Sequence, residues 1–176
     1  MGVLVPLNIG YLTSDRTKEG DELYTPRYAV KPIEEYIAPQ STIWCPFDTE
    51  ESMYVQCLRE KHNVVYTHLA LGQDFFTEDV PNCDYIISNP PFSKKFEVLE
   101  RLLNIGKPFA IIFPLPSIQT TKNFDLIKQC QLLVFDKRIK FYKTLEQTDK
   151  LGSPAFASIY LCKDFLPNNL VFKRLE

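Results

Sequence analysis

The order of apolar and amphipathic segments restricts the fold of this chain more than any other feature. Residues 108–115 are almost all apolar, which is typical of a central strand covered on both faces. Residues 95–105 place Phe96, Leu99 and Leu102 at helical spacing. Further strands are predicted at 41–47, 63–69, 85–88, 131–135 and 158–162, and further helices at 27–37, 50–61 and in most of 120–130. Strands that alternate with helices indicate an α/β protein of Rossmann type, with a mostly parallel central sheet flanked by helices.

The length and composition indicate one globular domain. With 176 residues, 45% of them hydrophobic and 24% charged, the chain can bury a full core but has little room for a second domain. A polar stretch, 14–21, precedes the first predicted helix. We therefore expect residues 1–20 to form a flexible arm or a lid and residues 21–176 to form the single domain.

The cysteines and the apolar segments predict a cytoplasmic protein. The five cysteines are odd in number and widely spaced, which is typical of reduced thiols. With two histidines in the chain, no set of zinc ligands is visible. The apolar run 3–12 is interrupted by Pro6 and Gly10 and is too short to cross a membrane. The sequence therefore predicts neither a metal site nor a membrane segment.

The net charge of −2 provides no general attraction for nucleic-acid phosphates. A nucleic-acid substrate would therefore need a local basic patch. Candidate cations are Lys94, Lys95, Lys107, Lys137, Arg138, Lys140 and Lys143. For each of them, a solvated surface charge is the alternative interpretation.

The tetrapeptide Asn89-Pro90-Pro91-Phe92 follows the apolar run 84–88 and ends a predicted buried strand. Consecutive prolines have a fixed φ and no N–H, so such a turn presents hydrogen-bond acceptors rather than donors. If the Asn89 side-chain oxygen and the Pro90 carbonyl each accept one N–H of an aromatic amine, the nitrogen lone pair becomes free to attack an electrophile. Phe92 would stack on the ring, a contact worth about 1–3 kcal/mol in nucleic-acid complexes. The alternative is a strand that simply ends at a Pro-Pro turn.

At this motif the sequence resembles the S-adenosylmethionine-dependent amino-methyltransferases, and more narrowly the small phage-type, Dam-like adenine-N6 methyltransferases. The resemblance extends from about Glu22 to Cys162. It implies a Rossmann-like methyltransferase fold, S-adenosylmethionine as the cofactor, and direct in-line methyl transfer to adenine N6 in nucleic acid, with DNA slightly favoured over RNA. It also implies that Asn89, Pro90, Pro91 and Phe92 are the catalytic residues.

The resemblance implies a cofactor loop after the first strand, at residues 44–52. Relatives carry glycines there, whereas this chain has none between Asp21 and Leu71. Pro46, Phe47 and Asp48 are the candidates for cofactor contact, with Asp48 accepting from the ammonium group. Asp48 or Thr49 is equally suited to cap the following helix.

Four other segments complete the candidate cofactor site. His68 stands where relatives carry an acid for the ribose hydroxyls, and a purely structural histidine is the alternative. Asp74 and Phe75 match the position that holds the cofactor's adenine, although an aspartate in a turn after Gly72 is also ordinary. Tyr24-Thr25-Pro26 resembles the motif that meets the cofactor carboxylate at a helix N-terminus, with Thr25 as the predicted cap and Pro26 as the first helical residue. Asn89 contacts the cofactor as well as the substrate in this scheme.

The candidate substrate-binding residues are Phe92, Lys94, Arg138, Lys140, Phe141 and Phe156. Residues 138–141 and 153–158 resemble a late region that lines the target-base pocket in the small enzymes, and a surface hairpin is the alternative. No target-recognition domain is visible. Sequence specificity is therefore expected to be weak, or to come from the N-terminal arm, a protein partner or a structured RNA.

Two other functions stay open at this stage. The same Asn-Pro-Pro turn occurs in methyltransferases that modify glutamine amides of proteins, although those relatives generally keep the glycine loop and carry Tyr where this chain has Phe92. The second is a degenerate methyltransferase fold that serves as an inhibitor or interaction module. The missing glycines and the missing acid at His68 favour that alternative, and the intact Asn89-Pro90-Pro91-Phe92 turn opposes it.

Overall fold

The computed structural model describes residues 23–142 and 156–176. The helices in these ranges are α1 (Arg27–Glu34), α2 (Met53–Leu58), α3 (Lys95–Ile105) and α4 (Phe124–Ile127). The strands are β1 (Thr42–Cys45), β2 (Asn63–Tyr66), β3 (Tyr85–Ser88), β4 (Phe109–Pro114), β5 (Gln131–Phe135), β6 (Ser158–Lys163) and β7 (Leu170–Lys173). The bounds of β3, α3 and β5 are those predicted from the sequence. The predicted arm at residues 1–20 lies outside the described residues.

The strands form one seven-stranded sheet in the order β2-β1-β3-β4-β6-β5-β7. β6 runs antiparallel to both of its neighbours, and the other neighbouring strands are parallel. The predicted α/β fold with a mostly parallel sheet is confirmed. After β1 the chain moves outward to β2 and then returns to the other side of β1 as β3, so the β1/β3 boundary is a topological switch point. Ligands of open α/β sheets bind beyond the carboxyl ends of the strands at such a point.

Both faces of the sheet are covered in its centre. All six residues of β4 are buried, as expected for a strand between two apolar layers. On one face, Tyr160 of β6 donates a hydrogen bond to the carbonyl oxygen of Ala29 (2.9 Å), and its oxygen lies 2.8 Å from that of Tyr54. Because the Tyr160 proton is used toward Ala29, Tyr54 is the donor of that second bond. This hydroxyl pair connects α1, α2 and β6 beneath the carboxyl edge of the sheet.

Three local predictions were wrong. The first residue of α1 is Arg27, with Pro26 as its N-cap and no side-chain cap bond, so the predicted Thr25 cap with Pro26 as the first helical residue is one position early. The cap of α2 is Ser52, whose hydroxyl accepts from the Val55 amide, rather than Asp48 or Thr49. Most of 120–130 was predicted to be helical, but α4 has four residues.

The short α4 and the unpredicted β7 have simple local causes. The Thr120 hydroxyl accepts from the Asn123 amide at 3.4 Å and closes a turn where the helix was expected to begin. β7 is a four-residue edge strand with Leu170 and Phe172 exposed, and its short apolar run at 170–172 is too brief to distinguish a strand from a loop in the sequence.

The described part of the chain contains neither a helix able to span a membrane nor a cluster of metal-ligating side chains. None of its helices combines the length and apolar character needed to cross a membrane. No group of three or more His, Cys, Asp and Glu side chains within residues 23–142 and 156–176 is arranged to hold a metal ion.

Candidate functional site

The candidate site begins where β1 and β3 end, on the two sides of the switch point. Asp48 lies three residues beyond β1, and Ser88 is the last residue of β3. The Ser88 hydroxyl donates a short hydrogen bond to the Asp48 carboxylate. The fold therefore joins the predicted cofactor loop directly to the strand that carries the Asn-Pro-Pro-Phe motif.

Asp48 is a buried carboxylate with an altered affinity for protons. Its residue surface is 6% exposed, and no cation is paired with it in the described ion pairs. Burial raises the pKa of Asp48 to about 6, while hydrogen bonds with Ser88 and Ser52 act in the opposite direction. A buried carboxylate of this kind gains most from a cation that arrives with a ligand.

The loop that joins β1 to α2 keeps its shape without glycine. The non-glycine residues with positive φ in the described chain are Gln40 and Asp164, so the backbone between Cys45 and Met53 never enters the left-handed region. Hydrogen bonds hold the loop instead. The amide of Asp48 donates to the Thr67 carbonyl at 3.2 Å, and the Ser52 hydroxyl caps α2.

Thr67 supports the same loop from the end of β2. Its hydroxyl oxygen accepts from the Trp44 indole at 3.0 Å and lies 3.5 Å from the carbonyl oxygen of Pro46. Pro46 is buried, and Phe47 is half-buried with its ring centroid 4.8 Å from that of Phe75. Pro46, Phe47 and Asp48 therefore lie together at the carboxyl end of β1, as the prediction of one cofactor loop requires.

Asn89 is fixed in orientation and keeps one polar atom unused. Its side-chain amide nitrogen donates to the carbonyl oxygen of Leu23 at 2.9 Å. Its side-chain oxygen is buried and has no hydrogen-bond partner among the described residues. Because an unpaired buried acceptor costs about 1–3 kcal/mol, this oxygen is suited to a donor that a ligand brings.

The rest of the motif is held in an aromatic cluster. Pro90 is buried and Pro91 half-buried, and Lys95 donates to the Phe92 carbonyl at 3.2 Å. The Phe92 ring lies 5.5 Å from the Phe156 ring and 6.4 Å from the Phe141 ring, measured between centroids. The structure thus brings together the three aromatic residues that were predicted for the substrate pocket. Phe141 is fully buried and supports Phe92 from the core side.

The Tyr24-Thr25-Pro26 segment also lies beside this turn. Leu23, whose carbonyl holds Asn89, precedes it directly. Tyr24 forms an isolated antiparallel bridge with Tyr142, with two backbone hydrogen bonds of 2.9 Å. Pro26 makes no side-chain cap bond, so the first-turn amides of α1 have no side-chain acceptor from their cap residue.

The other predicted cofactor residues take part in local structure. The Nδ1 atom of His68 accepts from the Ala70 amide at 3.0 Å, which leaves the ring proton of a neutral imidazole on Nε2. One carboxylate oxygen of Asp74 accepts from the Phe76 amide at 3.0 Å. The Phe75 ring is 2% exposed and packs on Trp44 and Phe47, so its side chain belongs to the core.

The predicted substrate cations are exposed and lie close in sequence to Phe92 or Phe141. The Lys94 ammonium lies 5.2 Å from the centre of the Phe76 ring, one residue before α3 begins. Arg138 and Lys140 are exposed on both sides of the buried Ile139. The Lys140 backbone amide donates to the Tyr28 hydroxyl at 2.8 Å, which fixes this segment against α1.

Sequence reasoning missed two parts of the site. Ser88 was treated only as the end of a strand, although a serine that closes a buried apolar run was the available signal. The Leu23 carbonyl has no sequence signal, because any residue supplies a carbonyl and only the fold brings it to Asn89.

No protein-family model and no curated protein matches this sequence. Among solved structures, the chain is similar to a dimethyladenosine transferase from Plasmodium falciparum, with a TM-score of 0.54, 12% identity, and 80% of this chain and 62% of that chain covered. It is also similar to the type I restriction-modification system methyltransferase subunit from Streptococcus thermophilus, with a TM-score of 0.52, 13% identity, and 94% and 50% covered. This chain therefore spans less than two thirds of the length of either protein. The similarities show a Rossmann-like methyltransferase fold, and the narrower resemblance to phage-type enzymes remains a prediction from the sequence.

Proposed function

We propose that this chain is an S-adenosylmethionine-dependent N6-adenine methyltransferase that acts on nucleic acid, with DNA favoured slightly over RNA. The observation that carries the proposal is the buried, unpartnered side-chain oxygen of Asn89, which belongs to the same turn as Phe92. The amide nitrogen of the same side chain donates to the Leu23 carbonyl and fixes its orientation. An acceptor next to an aromatic platform suits an amino group attached to a flat ring. One solved neighbour is named as a dimethyladenosine transferase, which agrees with an adenine substrate, and the other as a restriction-modification system methyltransferase subunit.

The residues of the turn would activate the amino nitrogen by hydrogen bonding and position. The Asn89 oxygen and the Pro90 carbonyl would each accept one N–H, which localises the nitrogen lone pair. Phe92 would hold the ring by stacking, supported by Phe141 and Phe156. No general base is needed for the attack, and the proton leaves the nitrogen afterwards to water or through Asn89. Positioning of this kind can supply up to roughly 7–11 kcal/mol in model systems.

The residues at the switch point fit S-adenosylmethionine. The ammonium group of the cofactor would supply the cation that the buried Asp48 carboxylate lacks. The first turn of α1 would face the cofactor carboxylate, and the Nε2–H of His68 would donate to a ribose hydroxyl. Asp74 keeps a second carboxylate oxygen for the adenine amine. When bound, the cofactor would supply an electrophilic methyl carbon with a sulfonium leaving group, toward which the residues of the turn would orient the amino nitrogen.

A nucleic-acid substrate is supported by the cations that surround the site. Lys94, Arg138 and Lys140 are exposed, and none of the three takes part in the described salt bridges. They would meet phosphates next to the Phe92 cluster although the chain as a whole is slightly acidic. A base in a duplex would have to leave the stack to reach the turn, at a cost of a few kcal/mol.

Calorimetric titration with S-adenosylmethionine and S-adenosylhomocysteine tests the cofactor site first. We expect both to bind, because the carboxylate of Asp48 and the loop around it are already in place. Transfer of a tritiated methyl group to DNA, RNA and protein pools, followed by nucleoside analysis, then tests the substrate. The expected product is N6-methyladenine.

Two results would contradict the proposal. A folded protein that releases no heat up to millimolar cofactor is not an autonomous methyltransferase. A label that appears on glutamine amides and not on nucleosides would replace the adenine substrate with a protein substrate.

A further inference from the structure

Ser158, at the carboxyl edge of the sheet, carries a buried polar atom without a partner, as Asn89 does. The residue is 3% exposed, and its hydroxyl oxygen has no hydrogen-bond partner among the described residues. A buried hydroxyl that stays unpaired is destabilising, since it gives up its bonds to water without replacement. The fold has no evident structural use for it.

The strand register places Ser158 on the same sheet face as Ile87 of β3, two residues before Asn89. Ser158 is the first residue of β6 and lies opposite Pro114, the last residue of β4. Alternate residues of a strand share a face, so Ser158 lies on the face of Tyr160. Tyr160 belongs to the same buried cluster as Ile87 of β3, and Leu23, the residue whose carbonyl accepts from Asn89, packs against that cluster.

The aromatic cluster connects the two polar atoms more directly. Phe156, two residues before Ser158, has its ring 5.5 Å from that of Phe92. The backbone between Phe156 and Ser158 is fixed to the end of β4, because the amide of Leu115, directly after that strand, donates to the Ala157 carbonyl at 2.8 Å. The start of β6 therefore borders the pocket in which Phe92 would hold a ring.

We infer that Ser158 is a specificity-determining residue of this pocket, whose hydroxyl donates a hydrogen bond to a ring nitrogen adjacent to the target amino group. The inference rests on the proposed function. The Asn89 side-chain oxygen accepts a hydrogen bond from the amino group, and the Ser158 hydroxyl donates one to the neighbouring ring nitrogen. Together, Asn89 and Ser158 match the donor and acceptor groups on one edge of an aminopurine. Stacking on Phe92 alone would not distinguish an aminopurine from other flat rings.

A double-mutant cycle between protein and substrate tests this contact. The substrates are oligonucleotides with adenine, 1-deazaadenine or 7-deazaadenine at one methylated position, and the enzymes are the unmodified protein and Ser158→Ala. For adenine we expect Ser158→Ala to lower kcat/KM about tenfold, the size of one hydrogen bond. With the deaza base that lacks the contacted nitrogen, kcat/KM of the unmodified protein should be about tenfold lower than with adenine. On that base, Ser158→Ala should not lower kcat/KM any further.

The matched control is Ser41→Ala. Ser41 is also a buried serine, but it lies at the opposite edge of the sheet and its hydroxyl donates to the Ala38 carbonyl at 2.6 Å. Ser41→Ala should lower the melting temperature and leave kcat/KM unchanged. Ser158→Ala should leave the melting temperature equal or higher, because it removes an unpaired group.

The outcomes separate this inference from the function on which it rests. Methylation of adenine by the unmodified protein reports on the proposed function alone. If Ser158→Ala loses the same factor on all three substrates, or loses nothing on adenine, the Ser158 contact is wrong while the methyltransferase function stands. If the loss disappears on one deaza substrate and persists on the other, the contact is supported and its ring nitrogen identified.

Discussion

The ends of β1 and β3 face each other across the switch point, but their polar side chains are in opposite states. The Asp48 carboxylate beyond β1 is surrounded by protein donors, with hydrogen bonds from Ser88 and Ser52. The Asn89 oxygen beyond β3, one residue after Ser88, has no partner among the described residues. In the first region, the described part of the protein supplies the hydrogen bonds of the carboxylate but no positive charge to pair with it. The second has an unpaired acceptor, which the proposed function assigns to the substrate.

Under the proposed function, the region at Asp48 would serve cofactor binding and the region at Asn89 would serve methyl transfer. Changes around Asp48 should alter cofactor affinity and its pH dependence. Changes at Asn89 should alter the rate of transfer at saturating cofactor. A variant that produced the opposite effect in either region would break the comparison.

The largest effect is expected from Asn89→Ala. The substitution removes the acceptor that orients the amino nitrogen, so the methylation rate at saturating cofactor and substrate should fall by about 10²–10³, the cost typical of one preorganised hydrogen bond in an active site. Single-turnover transfer of a labelled methyl group measures it. Asn104→Ala, on the exposed surface of α3, is the matched control and should keep the full rate. An Asn89→Ala enzyme with an unchanged rate would place the chemistry elsewhere.

The next effect concerns the stability of the free protein. Asp48 has an ordinary pKa of 3.8 and a pKa of about 6 in the folded state, so the folded chain binds this proton more tightly than the unfolded chain. The stabilisation is fully present below the unfolded pKa and is lost as the pH rises through the folded pKa. From about pH 4 to about pH 7.5, this group should lower the free energy of unfolding by about 2 kcal/mol.

Urea unfolding of the unmodified protein and of Asp48→Asn over that range isolates the contribution. Asparagine does not titrate, so the difference between the two pH profiles belongs to Asp48. Parallel profiles would contradict this prediction, because they would mean that the Asp48 carboxylate is solvated and not buried.

The two regions also differ in how far the sequence predicted them. The turn at Asn89 was predictable because proline restricts the backbone locally and an apolar run before it marks a buried strand. β3 and α3, on either side of the turn, were predicted with their correct bounds. Local rules were sufficient wherever a segment was long, apolar and bounded by a clear break.

The loop after β1 was less predictable because its conformation depends on distant residues. Thr67 and Ser88 hold it through hydrogen bonds across neighbouring strands, and Ser52 replaces the expected cap. No local pattern announces such bonds. The same reason explains why the Leu23 carbonyl at Asn89 was missed, since the two residues are 66 positions apart.

A smaller effect is expected on cofactor affinity. Binding of an ammonium group requires ionised Asp48, and with a pKa of about 6 only about a tenth of the free protein is ionised at about pH 5. The Kd for S-adenosylmethionine should therefore be about tenfold higher at about pH 5 than at about pH 7.5. Calorimetry at both pH values measures it. Asp48→Asn should bind more weakly and show no such dependence, and an equal dependence in both proteins would assign the titration to another group.

The smallest predicted effect concerns the glycines that the loop after β1 lacks. Glu51 is exposed, lies in the loop before α2 and has no positive φ, so a glycine there gains no conformation that the loop uses. Compared with Glu51→Ala, Glu51→Gly should lower the free energy of unfolding by about 0.4–1 kcal/mol, because glycine gives the unfolded chain more freedom. The Kd for S-adenosylmethionine should be the same in both variants. A lower Kd in the glycine variant would show that the cofactor needs a closer approach to the loop backbone than the present loop allows. The hydrogen bonds around Asp48 would then not replace the missing glycines.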